Sequence, residues 1–428
     1  QVVLYVTHNE DSEYHYTYTL QNATSGSSLR IVCTHPSMES KSIPVHTSLA
    51  VRPIIAAGTK KMFLLNDKNI ELYNIATQVP QMENTVSDDA IDKYSPMDII
   101  DKEFVSGKRE IYAVLCRNSH IALYNESLKL VHEFKNFPCG RYISVGNNYL
   151  AVKNTSEVEL YTISYGPTLY YYGRFAVSEK SQTYEYDPMI INKHDIVYTV
   201  LSDLNMIQVN SPNNYQTPSY INGVFFNGNN DTAVSLLSTE YSQMLYTYGS
   251  FLAVGLPGYS KGTSDRLGGA RIYFDKYLTS TGADRFQLVY QYNSTGVYRY
   301  KGYSIGMNEL GFYVGGKSDT NGTELTDFYF DISAYTKKYC NGMTCQCDVG
   351  YYYSTYYQKC FAQVGQTTAI YITVFSFVLF FIIMAIVGVL LAHMMRKNQQ
   401  ADHHRNEDDG LGEPIVDDDE PHLDGFEV

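Results

Sequence analysis

Over residues 1–335 the apolar positions come in short runs rich in Val, Ile, Tyr, Phe and Thr, each broken by Gly, Asn, Asp or Ser. No stretch there keeps the 3.6-residue period of a long amphipathic helix. β-Branched and aromatic side chains fit a pleated surface and the breakers supply turn chemistry, so the pattern predicts strands and turns. Three segments repeat one scheme, a hydrophobic strand, a turn and an alternating strand that closes on Tyr. They are Pro53–Asn74, Glu110–Asn125 and Gly140–Thr162. Their closing motifs IELYN, IALYN and VELYT nearly superimpose. In each, Ile or Val and then Leu share one face, while the residue between them points to the other.

Two later segments carry a fuller version, Tyr248–Lys276 and Lys301–Asp331. LAVGLPGYS, GGARIYFDK and KGYSIGMNELGFYVGG within them resemble the FG-GAP repeat of integrin α-subunit propellers and their relatives, and GRYISVGNNYLAVK is similar in weaker form. Gly255 and Gly258 permit close backbone approach and positive φ, and Pro257 fixes a turn. Closing positions near Tyr73, Tyr124, Tyr161, Val209, Tyr273 and Tyr329 recur about every 51 residues, a propeller-blade spacing. One such sheet cannot bury both faces, so the units must stack, and radial stacking gives a propeller. The predicted fold is all-β, a six- or seven-bladed β-propeller ectodomain over 1–335, with Gln1–Val6 supplying a strand that completes the last blade. A tandem of β-sandwiches explains the repeat less well. The integrin calcium loops have no counterpart: NGNNDT (Asn227–Thr232) and SDTNGT (Ser318–Thr323) lack the required spacing of oxygen ligands. No metal site or cofactor is expected. The GFFKR motif and long leg domains of integrin α-chains are also missing, so the resemblance is to a propeller relative and not to an α-chain.

The pattern changes abruptly at Ala369–Ala392, 24 residues without a charge. A helix needs about 20 residues to cross hydrocarbon, so a single transmembrane helix is expected within 366–395. Arg396 and Lys397 follow at once, which places the C-terminus in the cytosol. The chain starts at Gln1, as a protein relieved of a signal peptide would. Six glycosylation sequons, at Asn22, Asn125, Asn154, Asn230, Asn293 and Asn321, all precede the span. Together these features predict a single-pass type I glycoprotein of the plasma membrane or endomembrane system, in contact with membrane lipid.

All seven Cys also precede the span. Cys340, Cys345, Cys347 and Cys360 form a run, residues 336–365, that resembles the second half of an EGF-like module in its C-x-C and following Gly-Tyr. The resemblance implies Cys340–Cys345 and Cys347–Cys360 bridges, although four Cys allow three pairings. A zinc site is disfavoured by the oxidising compartment and the absence of C-x₂-C spacing. Cys33, Cys116 and Cys139 leave at least one thiol that is free, buried or intermolecular.

Charge divides as sharply. The formal net charge is −13, and residues 401–428 hold eleven carboxylates against Arg405 alone. Residues 396–428 thus read as a disordered acidic tail. The tail has no Ser, Thr or Tyr for phosphorylation. Its recognisable features are the run Asp417, Asp418, Asp419, Glu420 and the terminal Phe426-x-Val428, which resembles a PDZ-type ligand. Trafficking or PDZ-type scaffold proteins are therefore the expected cytosolic partners. The acidic balance excludes a nucleic-acid binder. The absence of Trp removes sialidase-type Asp boxes, and G-x-S-x-G and H-E-x-x-H do not occur, so no enzyme is expected. The 41 Tyr read mainly as sheet residues replacing Trp and Phe. The expected function is a non-enzymatic receptor or adhesion protein whose propeller binds a protein or glycan, with the polar Gly258–Gly269 loop as one candidate contact. The alternatives are a structural accessory subunit of a membrane complex and an endomembrane cargo-sorting receptor.

Overall fold

The computed structural model describes residues 2–8, 16–22, 29–35, 38–45, 53–76, 79–104, 107–166, 168–177, 187–212, 214–224, 243–258, 268–275, 285–294, 299–308, 311–317, 326–328, 339–341, 344–346, 351–354, 359–362, 380 and 383–394. The chain divides into two units, Gln1–Gln346 and Cys347–Val428.

The first unit is built from antiparallel four-stranded sheets. Blade one is β1 (Val2–His8), β2 (Thr17–Asn22), β3 (Leu29–His35) and β4 (Met38–Pro44). Blade two is β5 (Ile54–Ala57), β6 (Lys61–Asn66), β7 (Asn69–Asn74) and β8 (Gln81–Ser87). Blade three is β9 (Met97–Glu103), β10 (Arg109–Arg117), β11 (His120–Asn125) and β12 (Leu130–Pro138). Blade four is β13 (Tyr142–Val145), β14 (Tyr149–Lys153), β15 (Glu157–Ser164) and β16 (Thr168–Ala176). Blade five is β17 (Met189–Ile191), β18 (Val197–Leu201), β19 (Met206–Ser211) and β20 (Asn214–Ile221). Blade six is β21 (Leu245–Tyr248), β22 (Phe251–Gly255), β23 (Gly269–Asp275) and β24 (Phe286–Asn293). The first strands of successive blades lie side by side around the axis. Three more strands, β25 (Arg299–Asn308), β26 (Gly311–Lys317) and β27 (Thr326–Phe328), complete the ring, with β25 beside both β21 and β1. They join blade one through a single pair, Val2 opposite Lys317, into one seven-stranded sheet. The fold is a six-bladed β-propeller. The expected N-terminal strand is present as β1, which forms the inner edge of blade one and meets the last strands at Val2.

The core is a ring of interblade layers. Leu64 and Tyr73 of blade two pack on Tyr18, Leu20 and Ile31 of blade one. Phe63, Leu65 and Leu72 of the same blade pack on Ile99, Ala113 and Tyr124 of blade three. Both faces of the sheet are thus buried, which is why Met62–Leu65 is an unbroken apolar run. The same construction joins blades three and four, four and five, and five and six.

The closing positions Tyr73, Tyr124, Tyr161, Val209 and Tyr273 all fall on the third strand of their blades, and all are buried. Tyr329 lies outside the described residues. A buried phenol needs a hydrogen-bond partner. Strand periodicity places one two residues earlier: Tyr73 donates to Glu71, and Tyr161 donates to Glu159 at 2.5 Å. Blade three has Ala122 at that position, and Tyr124 donates instead to Asp88 at 2.5 Å from the segment after β8. Burial, and then the bond to Glu71, push the Tyr73 phenol pKa far above its ordinary value.

The glycines of the two fuller repeats meet at the seam between blade six and β25. A Cβ on Gly302 would lie 2.2 Å from the Gly269 carbonyl oxygen, and one on Gly255 would lie 2.0 Å from that of Gly302. Gly302 also has φ +92°, so only glycine fits. At the same seam the Gln243 side chain pairs with both backbone groups of Val6 at 2.8 Å, in the manner of a strand.

Cys116 and Cys139 are joined in a disulfide that ties β10 to the end of β12, and Cys33 is buried on β3. Burial raises the Cys33 pKa to about 12. The first unit ends in a hairpin of β28 (Tyr339–Asn341) and β29 (Thr344–Gln346), with Cys340 directly opposite Cys345. The second unit contains a hairpin of β30 (Tyr351–Ser354) and β31 (Lys359–Ala362). Its helical residues are 380 and 383–394. Among the described residues no helix is long and apolar enough to cross a membrane. The span expected over Ala369–Ala392 is therefore not present as one continuous helix in the described set, and most of its first half lies outside that set. The helical part that is described exposes apolar side chains along its length, including Ile383, Val387, Leu390 and Leu391.

Candidate ligand-binding face

Each blade runs up and down, so the turns between its first and second strands and between its third and fourth strands share one face of the ring. The first-to-second-strand turns are tight. Gly58 N–H bonds Lys61 O, and Gly146 N–H bonds Tyr149 O, each at 2.8 Å. In blades two and four a carboxylate from the next blade then covers the turn. Asp101 of blade three accepts from Thr59 N–H at 2.6 Å and from the Arg109 guanidinium. Asp195 of blade five accepts from the N–H groups of Asn147 and Asn148 and from the Asn148 amide, each at 2.8 Å. A Cβ on Gly58 or Gly146 would lie 2.3 or 2.5 Å from these carboxylate oxygens, which explains both glycines.

Because Asp101 and Asp195 are turned inward, their negative charge is spent on turn N–H groups. The exposed charges of the first-to-second-strand turns are mostly cationic, while Glu126, in the third-to-fourth-strand turn of blade three, is exposed on the same face. Lys60, Lys108, Arg109, Lys193 and His194 are exposed, Lys102 is half-buried, and Glu103 is the exposed carboxylate among the described residues of these turns. Lys102 Nζ donates to Asn147 O at 2.7 Å and approaches Asn148 Oδ1 at 3.4 Å. It also sits 5.5 Å from the centre of the Phe104 ring. Phe104 in turn meets Tyr165, from the third-to-fourth-strand turn of blade four, edge to face at 5.5 Å and 79°. Tyr165 is 51% exposed. Blades three, four and five thus bring an open aromatic ring, amide groups and lysines to one patch.

The sequence-predicted sites lie elsewhere or outside the described residues. Asn22 ends β2, Asn154 follows β14 and Asn293 ends β24, so all three stand at the opposite face. Asn125 ends β11 on the same face as the patch, and its Oδ1 accepts from Ser127 and Lys129 N–H groups at 3.0 and 3.1 Å. Asn230, Asn321, Cys347 and the tail residues Asp417, Asp418, Asp419, Glu420, Phe426 and Val428 lie outside the described residues, as do Asn227–Thr232 and Ser318–Thr323. Cys340, Cys345 and Cys360 lie on described strands, but their side chains are outside the described set. Of the Gly258–Gly269 loop, residues 259–267 are outside it too. The patch carries no sequence motif: its residues come from three blades, and only ring closure assembles them.

No family model matches the chain, and no curated protein does either. Solved structures with a similar fold include a virginiamycin B lyase from Staphylococcus aureus, 10% identical with a TM-score of 0.45, where the match covers 74% of this chain and 92% of that one. The WD40 domain of SCAP from fission yeast is 11% identical at a TM-score of 0.43, over 73% of this chain and 78% of that one. A functionally unknown protein from Desulfotomaculum acetoxidans is 11% identical at a TM-score of 0.44, over 67% of this chain and 85% of that one.

Proposed function

We propose that the chain is a non-enzymatic, single-pass type I membrane glycoprotein that binds a ligand through the turn face of its propeller. On this reading it is a relative of the FG-GAP propellers with an EGF-like stub, and its acidic tail meets trafficking or scaffold proteins in the cytosol. The observation that carries the reading is the uncharged run Ala369–Ala392 followed by Arg396 and Lys397. The helix at 383–394, apolar on all sides and exposed, supports it, because such a helix needs an apolar surround. The Cys116–Cys139 disulfide supports an oxidising compartment for the propeller.

The test is topology in intact cells. Peptide-N-glycosidase treatment should increase gel mobility, and protease added to sealed microsomes should remove only the C-terminal tail. A chain that shows no mobility shift and is recovered without detergent would overturn the reading. Recovery at fixed stoichiometry with one membrane complex would favour the accessory-subunit alternative.

A further inference from the structure

We propose that the patch of Lys102, Phe104, Asn148, Tyr165 and Lys193 binds an acidic saccharide, a sugar chain bearing sulfate or carboxylate groups. The inference rests on the lumenal ligand-binding reading above and names its ligand class.

The argument begins with Tyr165. Its ring is fixed edge-on against Phe104 yet remains about half open, so it offers a rigid apolar platform with a polar rim. Such a platform suits the C–H face of a pyranose, and ordering it costs little entropy on binding. The cations beside it supply the charge preference. Lys102 has three ammonium donors, of which two point to Asn147 O and Asn148 Oδ1. Burial lowers its pKa, Asp195 offsets part of that, and the neighbouring Lys193 cation lowers it further. The Asn148 side chain is held by Asp195, so its position is set before any ligand arrives.

An acidic peptide fits less well. Peptides gain affinity by strand addition to an open sheet edge, whereas this face consists of turns. The turn N–H groups that could capture a carboxylate are already occupied by Asp101 and Asp195. Glycans on Asn22, Asn154 and Asn293 would project from the opposite face, while one on Asn125 would stand on this face at the third-to-fourth-strand turn of blade three.

The experiment titrates the full-length chain in detergent micelles into a fluorescein-labelled heparin hexasaccharide and follows polarisation. Unlabelled maltohexaose and hexaglutamate serve as uncharged-sugar and acidic-peptide competitors. The expected result is saturable binding that neither competitor displaces. Tyr165→Ala and Lys102→Met should each weaken it about tenfold at unchanged Tm, as loss of one stacking or charge contact does. Tyr170→Ala, an exposed tyrosine on β16, should leave it unchanged. Absence of saturable binding overturns the proposal. So does equal displacement by hexaglutamate with Tyr165→Ala binding like the wild type, which is the signature of a peptide or of charge alone. A chain that passes the topology test but fails here sinks only this inference, while failure of the topology test sinks the reading beneath it.

Discussion

Reducing the Cys116–Cys139 disulfide should lower the melting temperature of the propeller by about 4 °C, the magnitude following from loop length and domain size. The bridged residues are separated by 23 positions and their Cα atoms by 5.7 Å. Closing a loop of that length in the unfolded chain removes entropy equivalent to about 3 kcal/mol at 25 °C. Unfolding entropy near 2.1 cal/mol/K per residue gives about 0.7 kcal/mol/K for a unit of this size, since it runs from Gln1 to Gln346. The ratio sets the expected shift. The assay is differential scanning calorimetry of the full chain in detergent, with and without a phosphine reductant. Reduction removes no atoms from the core around Cys116, Leu123 and Phe134, so loss of the cross-link dominates the effect. Cys116→Ala with Cys139→Ala should melt lower still, because Cys116 also loses buried sulfur contacts. A reduced wild type that melts within about 1 °C of the oxidised form would refute the reasoning, because the loop-entropy account then fails for this bridge.

Gly302→Ala should cost more than about 3 kcal/mol, as both φ and the Gly269 carbonyl forbid a Cβ there; loss of cooperative thermal unfolding by circular dichroism checks this. Lys153 is wholly buried with its Nζ on Asp187 O at 2.8 Å, and burial holds its pKa down at about 8 against an ordinary 10.5. The folded state thus releases that proton before the unfolded state does. Stability should rise by about 3 kcal/mol from pH 8 towards 10.5, and the benefit is lost as pH falls through 8; in Lys153→Met, urea titrations between pH 7.5 and 9.5 should lose this slope. Asp195→Ala uncovers the N–H groups of Asn147 and Asn148 and should cost about 3 kcal/mol, with faster amide exchange confined to residues 146–149.

The third-strand tyrosines are legible in the sequence because a period of two fixes both their burial and their partners. ELY in blades two and four states in three letters that Glu and Tyr share a face. The glycines of LAVGLPG and KGYSIG are legible as turn or close-approach residues, but their contact with one another is not, since Gly255 and Gly302 meet only when the ring closes. The Cys116–Cys139 pairing is hidden for the same reason: among Cys33, Cys116 and Cys139 no spacing distinguishes the bridge, and the β10–β12 meander decides it. Tyr165, Phe104 and Lys102 occupy unremarkable loop and strand-end positions, and no local pattern marks them as neighbours.

The face they form also reverses the chemistry that composition suggests. A chain of net charge −13, most of it in the tail, gives no reason to expect lysines gathered on one propeller face. On this face, Asp101 and Asp195 are withdrawn from solvent to hold the first turns of blades two and four, because tight glycine turns leave N–H groups that need acceptors. Of the lysines in the same turns, Lys102 is half-buried and bonds Asn147 O across the seam, and Lys60, Lys108 and Lys193 are exposed. The fold's own hydrogen-bond demand therefore withdraws Asp101 and Asp195, while Glu103 and Glu126 stay exposed beside the lysines. It leaves lysines at a preorganised patch without any long run of basic residues in the sequence.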